Sequence, residues 1–371
     1  MYTVNTFRRY RTITALACTA ALGFYSMATP QAFANEEVIS HTASAVASSI
    51  DRAGAKSRLP MLTDLSQLPP EVLKTIGASD SGVESQGYGA LGHPFTTKRA
   101  GAQGRSAQPM KSFPWRATGK LWMRFNTDWS VCTASVIGKN LLVTAAHCVH
   151  NFGQAASGFA DEVIFEPARH RGGSTCTSKT CPYGEWLAPY IYIPAVYWDG
   201  TDVCTTSGVI CENDVAVLVV NQLNGKNIQN VTGKYNYKSN NYGYKSFLGE
   251  MATQITQFGY PVAHDSGYRM IRTDSLGYQA TPNNVVIGSD QTGGSSGGPW
   301  IQNFGISSSS TSSAPTANLS NTVVATTSWG YTDSTQKVQG ASRFAKNTNF
   351  TTRSNIDALV NDACTDHPTS C

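Results

Sequence analysis

From Phe113 onward the chain is a series of short β-prone runs separated by Gly-, Asn- and Ser-rich loops, and this pattern limits the fold more than any other feature. The runs lie at 120–125, 131–137, 141–145, 214–220, 253–258, 284–287, 299–302 and 323–329. Helical spacing occurs over 354–366, where Ile356, Leu359, Val360 and Ala363 fall on one face. Many short strands and a terminal helix predict an all-β barrel or sandwich with a C-terminal helix. Residues 307–313 read as an exposed low-complexity loop, and the Tyr/Asn/Lys-rich stretch 234–244 as a surface insertion.

The first 112 residues are of a different kind. Residues 1–34 read as a signal peptide. Arg8, Arg9 and Arg11 form a basic start, an apolar stretch runs from Ile13 to Met27, and Ala32 and Ala34 supply the small residues of a cleavage site. Residues 35–112 are rich in Ala, Ser, Gly and Gln, with a short candidate helix at 68–76 and a linker over 77–108. Lys98-Arg99 and Arg105 offer basic cleavage sites within it. The expected division is therefore a signal peptide (1–34), a propeptide or linker (35–112) and one folded domain (113–371).

Charge excludes some partners. The chain has 28 Lys+Arg against 24 Asp+Glu, and no basic stripe of the kind a nucleic-acid binder carries. Outside the leader no run approaches 18 consecutive apolar residues, so no membrane span is expected.

Of the nine cysteines, Cys18 leaves with the leader. Cys132, Cys148, Cys176, Cys181, Cys204, Cys211, Cys364 and Cys371 remain, as four sequence-adjacent pairs. Eight cysteines admit about 105 connectivities; bridges between neighbours are the simplest. Export places them where disulfides persist. The alternative for one pair is a zinc site of Cys176, Cys181 and His170, but paired C-x-x-C knuckles are missing and no metal is expected.

Three motifs carry candidate chemistry. His147 follows a strand, among small residues and beside Cys148; imidazole is the side chain that takes up and returns protons near neutral pH. Asp214 opens an alternating strand, from which a buried carboxylate can turn toward a histidine; a plain strand-capping Asp is the alternative, and Asp199 and Asp202 lie in Gly/Thr loops. Residues 292–299 surround Ser295 and Ser296 with glycines. Such a turn can expose a hydroxyl and aim backbone N–H groups at a developing oxyanion, although the same composition also makes linkers.

In the order His, Asp, Ser these motifs resemble the chymotrypsin/trypsin superfamily of serine endopeptidases over residues 113–366. A fourth motif, Thr327-Ser328-Trp329-Gly330, resembles the strand that pairs with the substrate backbone. The resemblance implies two antiparallel six-stranded β-barrels with a C-terminal helix, His147 and Asp214 coming from the first barrel and Ser296 from the second. It implies His147 as general base, Asp214 as its orienting partner, Ser296 as nucleophile and the N–H groups of Gly294 and Ser296 as oxyanion hole. It also implies Ser328 bonded near Asp214, Trp329 and Gly330 lining the primary pocket, and a Cys132–Cys148 bridge beside His147. Asp290, six residues before Ser296, and Gly340, twelve after Ser328, match the offsets of a pocket that selects Arg or Lys.

The departures also inform. Ser295 stands where trypsin has an Asp, the hydrophobic activation sequence is missing, and neither wall of the pocket carries a Cys. The 292–299 segment and Phe258-Gly-Tyr-Pro261 are closer to the bacterial glutamyl-endopeptidase-like branch, which has a His where this chain has Ser328. The expectation is a secreted, extracellular zymogen, monomeric and cofactor-free, that acts on protein or peptide substrates. A glutamyl or broad-specificity endopeptidase and a catalytically silent binding homologue are the alternatives.

Overall fold

The computed structural model describes residues 37–62, 87–89, 91–100, 111–173, 175–306 and 319–371. The proposed leader, Cys18, the 68–76 helix and the 307–313 loop lie outside the described residues. The β-prone runs form two antiparallel sheets; the largest apolar cluster fills the first and reaches Phe258, Ile301 and Val323 of the second, which has its own cluster around Ile255, Val285 and Trp300. In the first, the chain order of neighbours is Tyr190–Pro194, Ala216–Val219, Leu141–Thr144, Asp128–Val136, Thr118–Phe125, Glu162–Pro167 and Trp186–Leu187. Its two ends, Trp186–Leu187 and Tyr190–Pro194, are separated in sequence only by Ala188 and Pro189, so the sheet curls back on itself. The second sheet closes fully. Glu250–Gly259 pairs with both Pro299–Gln302 and Ile271–Ala280, completing a ring with Thr322–Tyr331, Val338–Arg343 and Asn284–Gly288. The result is one closed six-strand barrel and one curled half-barrel.

The terminal helix forms over Asn355–Asp366, and the Ser354 hydroxyl accepts from the Asp357 N–H at 3.2 Å as its N-cap. Ile356, Leu359 and Ala363 are buried in the core they share with the first sheet, as the spacing predicts. Four disulfides join sequence neighbours: Cys132–Cys148, Cys176–Cys181, Cys204–Cys211 and Cys364–Cys371. The bond between Cys176 and Cys181 uses the two thiols that a zinc site would need.

Two stretches go beyond their sequence reading. Residues 234–244 lie at the surface as expected, with Lys234, Asn236, Lys238, Asn240 and Asn241 exposed, but are anchored in the fold: Asn236–Tyr237 pairs with Thr322–Tyr331, and Tyr235 is fully buried with its hydroxyl 2.9 Å from Thr118 Oγ1 and 2.8 Å from the Pro114 carbonyl. The segment before residue 113 contributes strands to both barrels. Val38–Thr42 extends the first sheet along Tyr190–Pro194, and Phe95–Arg99, inside the expected linker, extends the second along Ile271–Ala280. Two-residue strands, Lys56–Ser57 and Met61–Leu62, lie parallel to Asp128–Val136 and Thr322–Tyr331. Runs this short carry no readable periodicity; partners far along the chain decide their conformation.

Candidate active site

The site lies where the two barrels meet. His147 sits on the one-turn helix Ala146–Val149 that follows strand Leu141–Thr144. The Cys132–Cys148 bridge ties that turn to the neighbouring strand, so the imidazole is held from both sides. Asp214 precedes strand Ala216–Val219 and is almost wholly buried. Its carboxylate engages His147 twice: Oδ1 accepts from the backbone N–H at 2.9 Å, and Oδ2 lies 2.7 Å from Nδ1. A carboxylate oxygen only accepts, so the proton resides on Nδ1, which leaves Nε2, 3.8 Å from Cys148 Sγ, as the ring's acceptor. Ser328 adds a third bond, its hydroxyl donating to Asp214 Oδ2 at 2.6 Å.

A second buried acid stands behind this pair. Asp202, one of the loop acids set aside in sequence, accepts from the Asn213 N–H and side-chain amide, both at 2.8 Å. Burial pushes its carboxyl up to about 7, against those two hydrogen bonds. The contact fixes the residue immediately before Asp214. No signal in the sequence singled it out, because the loop and Asn213 meet only in the fold.

The Ser296 loop is pinned to both barrels. Thr133 donates to it twice, N–H to the Ser296 carbonyl at 2.7 Å and hydroxyl to the Gly294 carbonyl at 2.8 Å; Gly297 N–H donates to the Thr327 carbonyl at 2.8 Å. Gly294 and Gly297 have φ of 98° and 71°, a region that side chains disfavour. Space is also closed at Gly297, where a Cβ would fall 1.9 Å from Thr144 Oγ1. Among the described residues the N–H groups of Gly294 and Ser296 donate to no protein acceptor. The Ser296 hydroxyl donates to the backbone carbonyl of Arg58.

The pocket residues are placed differently from one another. Gly330 faces Leu59 and, behind it, the amide of Gln339. Gln339 belongs to a buried chain: its Nε2 donates to Ser295 Oγ at 3.0 Å, and its Oε1 accepts from Gln257 at 2.6 Å. Trp329 is fully buried and donates to Asn284 Oδ1 at 2.8 Å; Gly340 makes room for its indole, since a Cβ there would lie 1.9 Å from the ring. Asp290 is already partnered, accepting from Thr97 Oγ1 at 2.7 Å and lying 3.3 Å from His264 Nε2. The hydrogen bond to Asp290 raises the His264 pKa; burial would raise that of Asp290, but the bonds from His264 and Thr97 outweigh it and lower it. The two residues border a cleft of about 310 Å³, also lined by Arg99 and Asp265, which Ser296 and Gly330 do not line.

The family model described as Trypsin matches residues 102–351. The chain belongs to the trypsin family. Among solved structures it is similar to the protease Anisep from Arthrobacter nicotinovorans, with a TM-score of 0.50 and 23% identity over 69% of this chain and 98% of that one. It is also similar to the thermostable serine protease AL20 from an extremophilic microorganism, with a TM-score of 0.51 and 21% identity over 68% and 98%. These likenesses establish the trypsin-family two-barrel fold. No curated protein matches the chain. Family membership makes this a serine-type peptidase by class.

Proposed function

We propose that this protein is a secreted serine endopeptidase, made as a precursor, that hydrolyses peptide bonds through His147, Asp214 and Ser296. The observation that carries the reading is the 2.7 Å contact between His147 Nδ1 and Asp214 Oδ2 beside a glycine turn bearing Ser296. Ser296 Oγ attacks the carbonyl carbon and passes its proton to His147 Nε2. The N–H groups of Gly294 and Ser296 receive the oxyanion, and the imidazolium returns the proton to the departing amine as the C–N bond breaks. Water, deprotonated by the same imidazole, then releases the acyl group and restores Ser296. Asp214 holds the tautomer and offsets the imidazolium charge, and Ser328 fixes the carboxylate.

The leader at 1–34 and the four disulfides support export. Residues 35–112 are read as a propeptide. The substrates are proteins or peptides, and the enzyme acts as a monomer without a cofactor. The offset of Asp290 from Ser296 supports a preference for Arg or Lys before the scissile bond, which requires both Thr97 and His264 to give up the carboxylate. The test is cleavage of a peptide library by the secreted, processed chain, with N-terminal sequencing of the active form. Cleavage that disappears in Ser296→Ala and His147→Ala is expected; cleavage that persists in both would overturn the reading.

A further inference from the structure

Residues 56–62 cross the cleft between the barrels. Lys56–Ser57 pairs with Ser130 and Val131 of the first barrel, and the Arg58 N–H donates to the Val131 carbonyl at 3.2 Å. The Arg58 guanidinium lies 4.2 Å from the centre of the Phe125 ring and donates to Asn151 Oδ1 at 2.6 Å. The Arg58 carbonyl accepts from the Ser296 hydroxyl. Leu59 then covers Gly330, the Pro60 carbonyl accepts from the Gly330 N–H at 3.1 Å, and the Leu62 carbonyl accepts from the Thr332 N–H at 3.0 Å. Leu62 is 1% exposed and shares a core cluster with Trp329 and Tyr331. Upstream, Ser48 N–H donates to Glu162 and Arg52 pairs with the buried Glu166 at 2.7 Å.

We propose that residues 56–62 are a built-in inhibitor strand, lying through the cleft in an orientation that hydrolysis cannot use. Two features of the geometry argue for this. The Ser296 hydroxyl meets the oxygen of the Arg58 carbonyl, whereas attack requires that it meet the carbon while the oxygen sits on the N–H groups of Gly294 and Ser296. The direction of the strand is also wrong for proton delivery. Breaking the Arg58–Leu59 bond would require His147 to protonate the Leu59 nitrogen. Yet the acyl half of that bond runs along the first barrel, which carries His147, and the amine half runs along strand Thr322–Tyr331 of the second, parallel to it. The segment therefore covers the nucleophile and the strand Ser328–Gly330 without becoming a substrate. Its anchors are local ladders, a buried leucine and the upstream ion pair, so loss of the strand frees the site without rebuilding it.

The inference rests on Ser296 being the nucleophile, and the experiment separates the two. The full chain is treated with a fluorophosphonate, and the rate of adduct formation on Ser296 is followed by mass spectrometry. Wild type is compared with Leu62→Asp, which puts a carboxylate into the Trp329 cluster. The milder pair Leu59→Ala/Leu62→Ala guards against a misfolded variant. Labelling at least tenfold faster in Leu62→Asp, or about threefold faster in the double alanine variant, is expected, with no fragment ending at Arg58 in any sample. Equally fast labelling of wild type and variants would overturn the inhibitor strand and leave the nucleophile intact. A fragment ending at Arg58 would overturn the non-productive orientation. No adduct in any chain would remove Ser296 as nucleophile and the inhibitor strand with it.

Discussion

Ser328 donates its hydroxyl at 2.6 Å to the same Asp214 oxygen that faces His147 Nδ1. The carboxylate thus has one oxygen shared between the imidazole and Ser328, and the other on the His147 backbone. A buried carboxylate with its acceptor sites filled from three directions cannot rotate away from the histidine. Ser328→Ala removes one charge-assisted bond, worth about 1.5–3 kcal/mol in general, part of which water recovers. We expect kcat to fall by about tenfold with KM nearly unchanged, measured in the processed enzyme on a peptide ester. An unchanged kcat would mean that the two His147 contacts suffice.

Gly297→Ala tests the loop that presents Ser296. The added methyl meets Thr144 Oγ1, the Thr133 carbonyl and the Ala145 nitrogen, in backbone with positive φ. The loop must shift and carry Ser296 with it. A displacement on the order of 1 Å can cost about a hundredfold in rate. Activity below about 1% of wild type is expected, with the chain still folded and disulfide-bonded.

Asp290→Ala tests selectivity. If the carboxylate receives the substrate side chain, cleavage after Arg and Lys should drop at least tenfold while cleavage after other residues changes little, as read from a peptide library. The raised pKa of His264 sharpens the test. Protonated His264 competes for Asp290, so the basic preference should weaken as pH falls. An unchanged library profile would move selectivity to the neutral amide of Gln339 beside Gly330.

Lys120 predicts a stability trend. Its ammonium is buried between the rings of Trp122 and Tyr268 and donates to the Gly267 carbonyl at 2.9 Å. Burial, with Arg169 nearby, pushes its pKa down to about 7. The unfolded lysine keeps its proton to about 10.4, so between these values the unfolded state binds more protons and stability rises with pH. The urea midpoint of the Ser296→Ala chain should therefore increase from pH 7 to pH 9, and Lys120→Met should flatten that increase.

Much of this molecule is legible in its sequence because the signals are local. Short β-prone runs, the Ile356/Leu359/Ala363 face and the glycines around Ser296 each specify backbone geometry within a few residues; the cysteine connectivity is open in the sequence, where pairing of neighbours is only the simplest choice, and the fold settles it. The order His147, Asp214, Ser296 is equally visible, since each residue sits in its own short motif. What tertiary structure alone decided is which distant groups meet. Asp202 reaches Asn213, Thr97 reaches Asp290, and the Arg58 carbonyl reaches the Ser296 hydroxyl. Residues 56–62 look like spacer in sequence because their strands are two residues long and pair in parallel with partners from both barrels. Hydrogen bonds to remote backbone, and one leucine buried against Trp329 and Tyr331, give that segment its conformation, and no pattern within the segment encodes either.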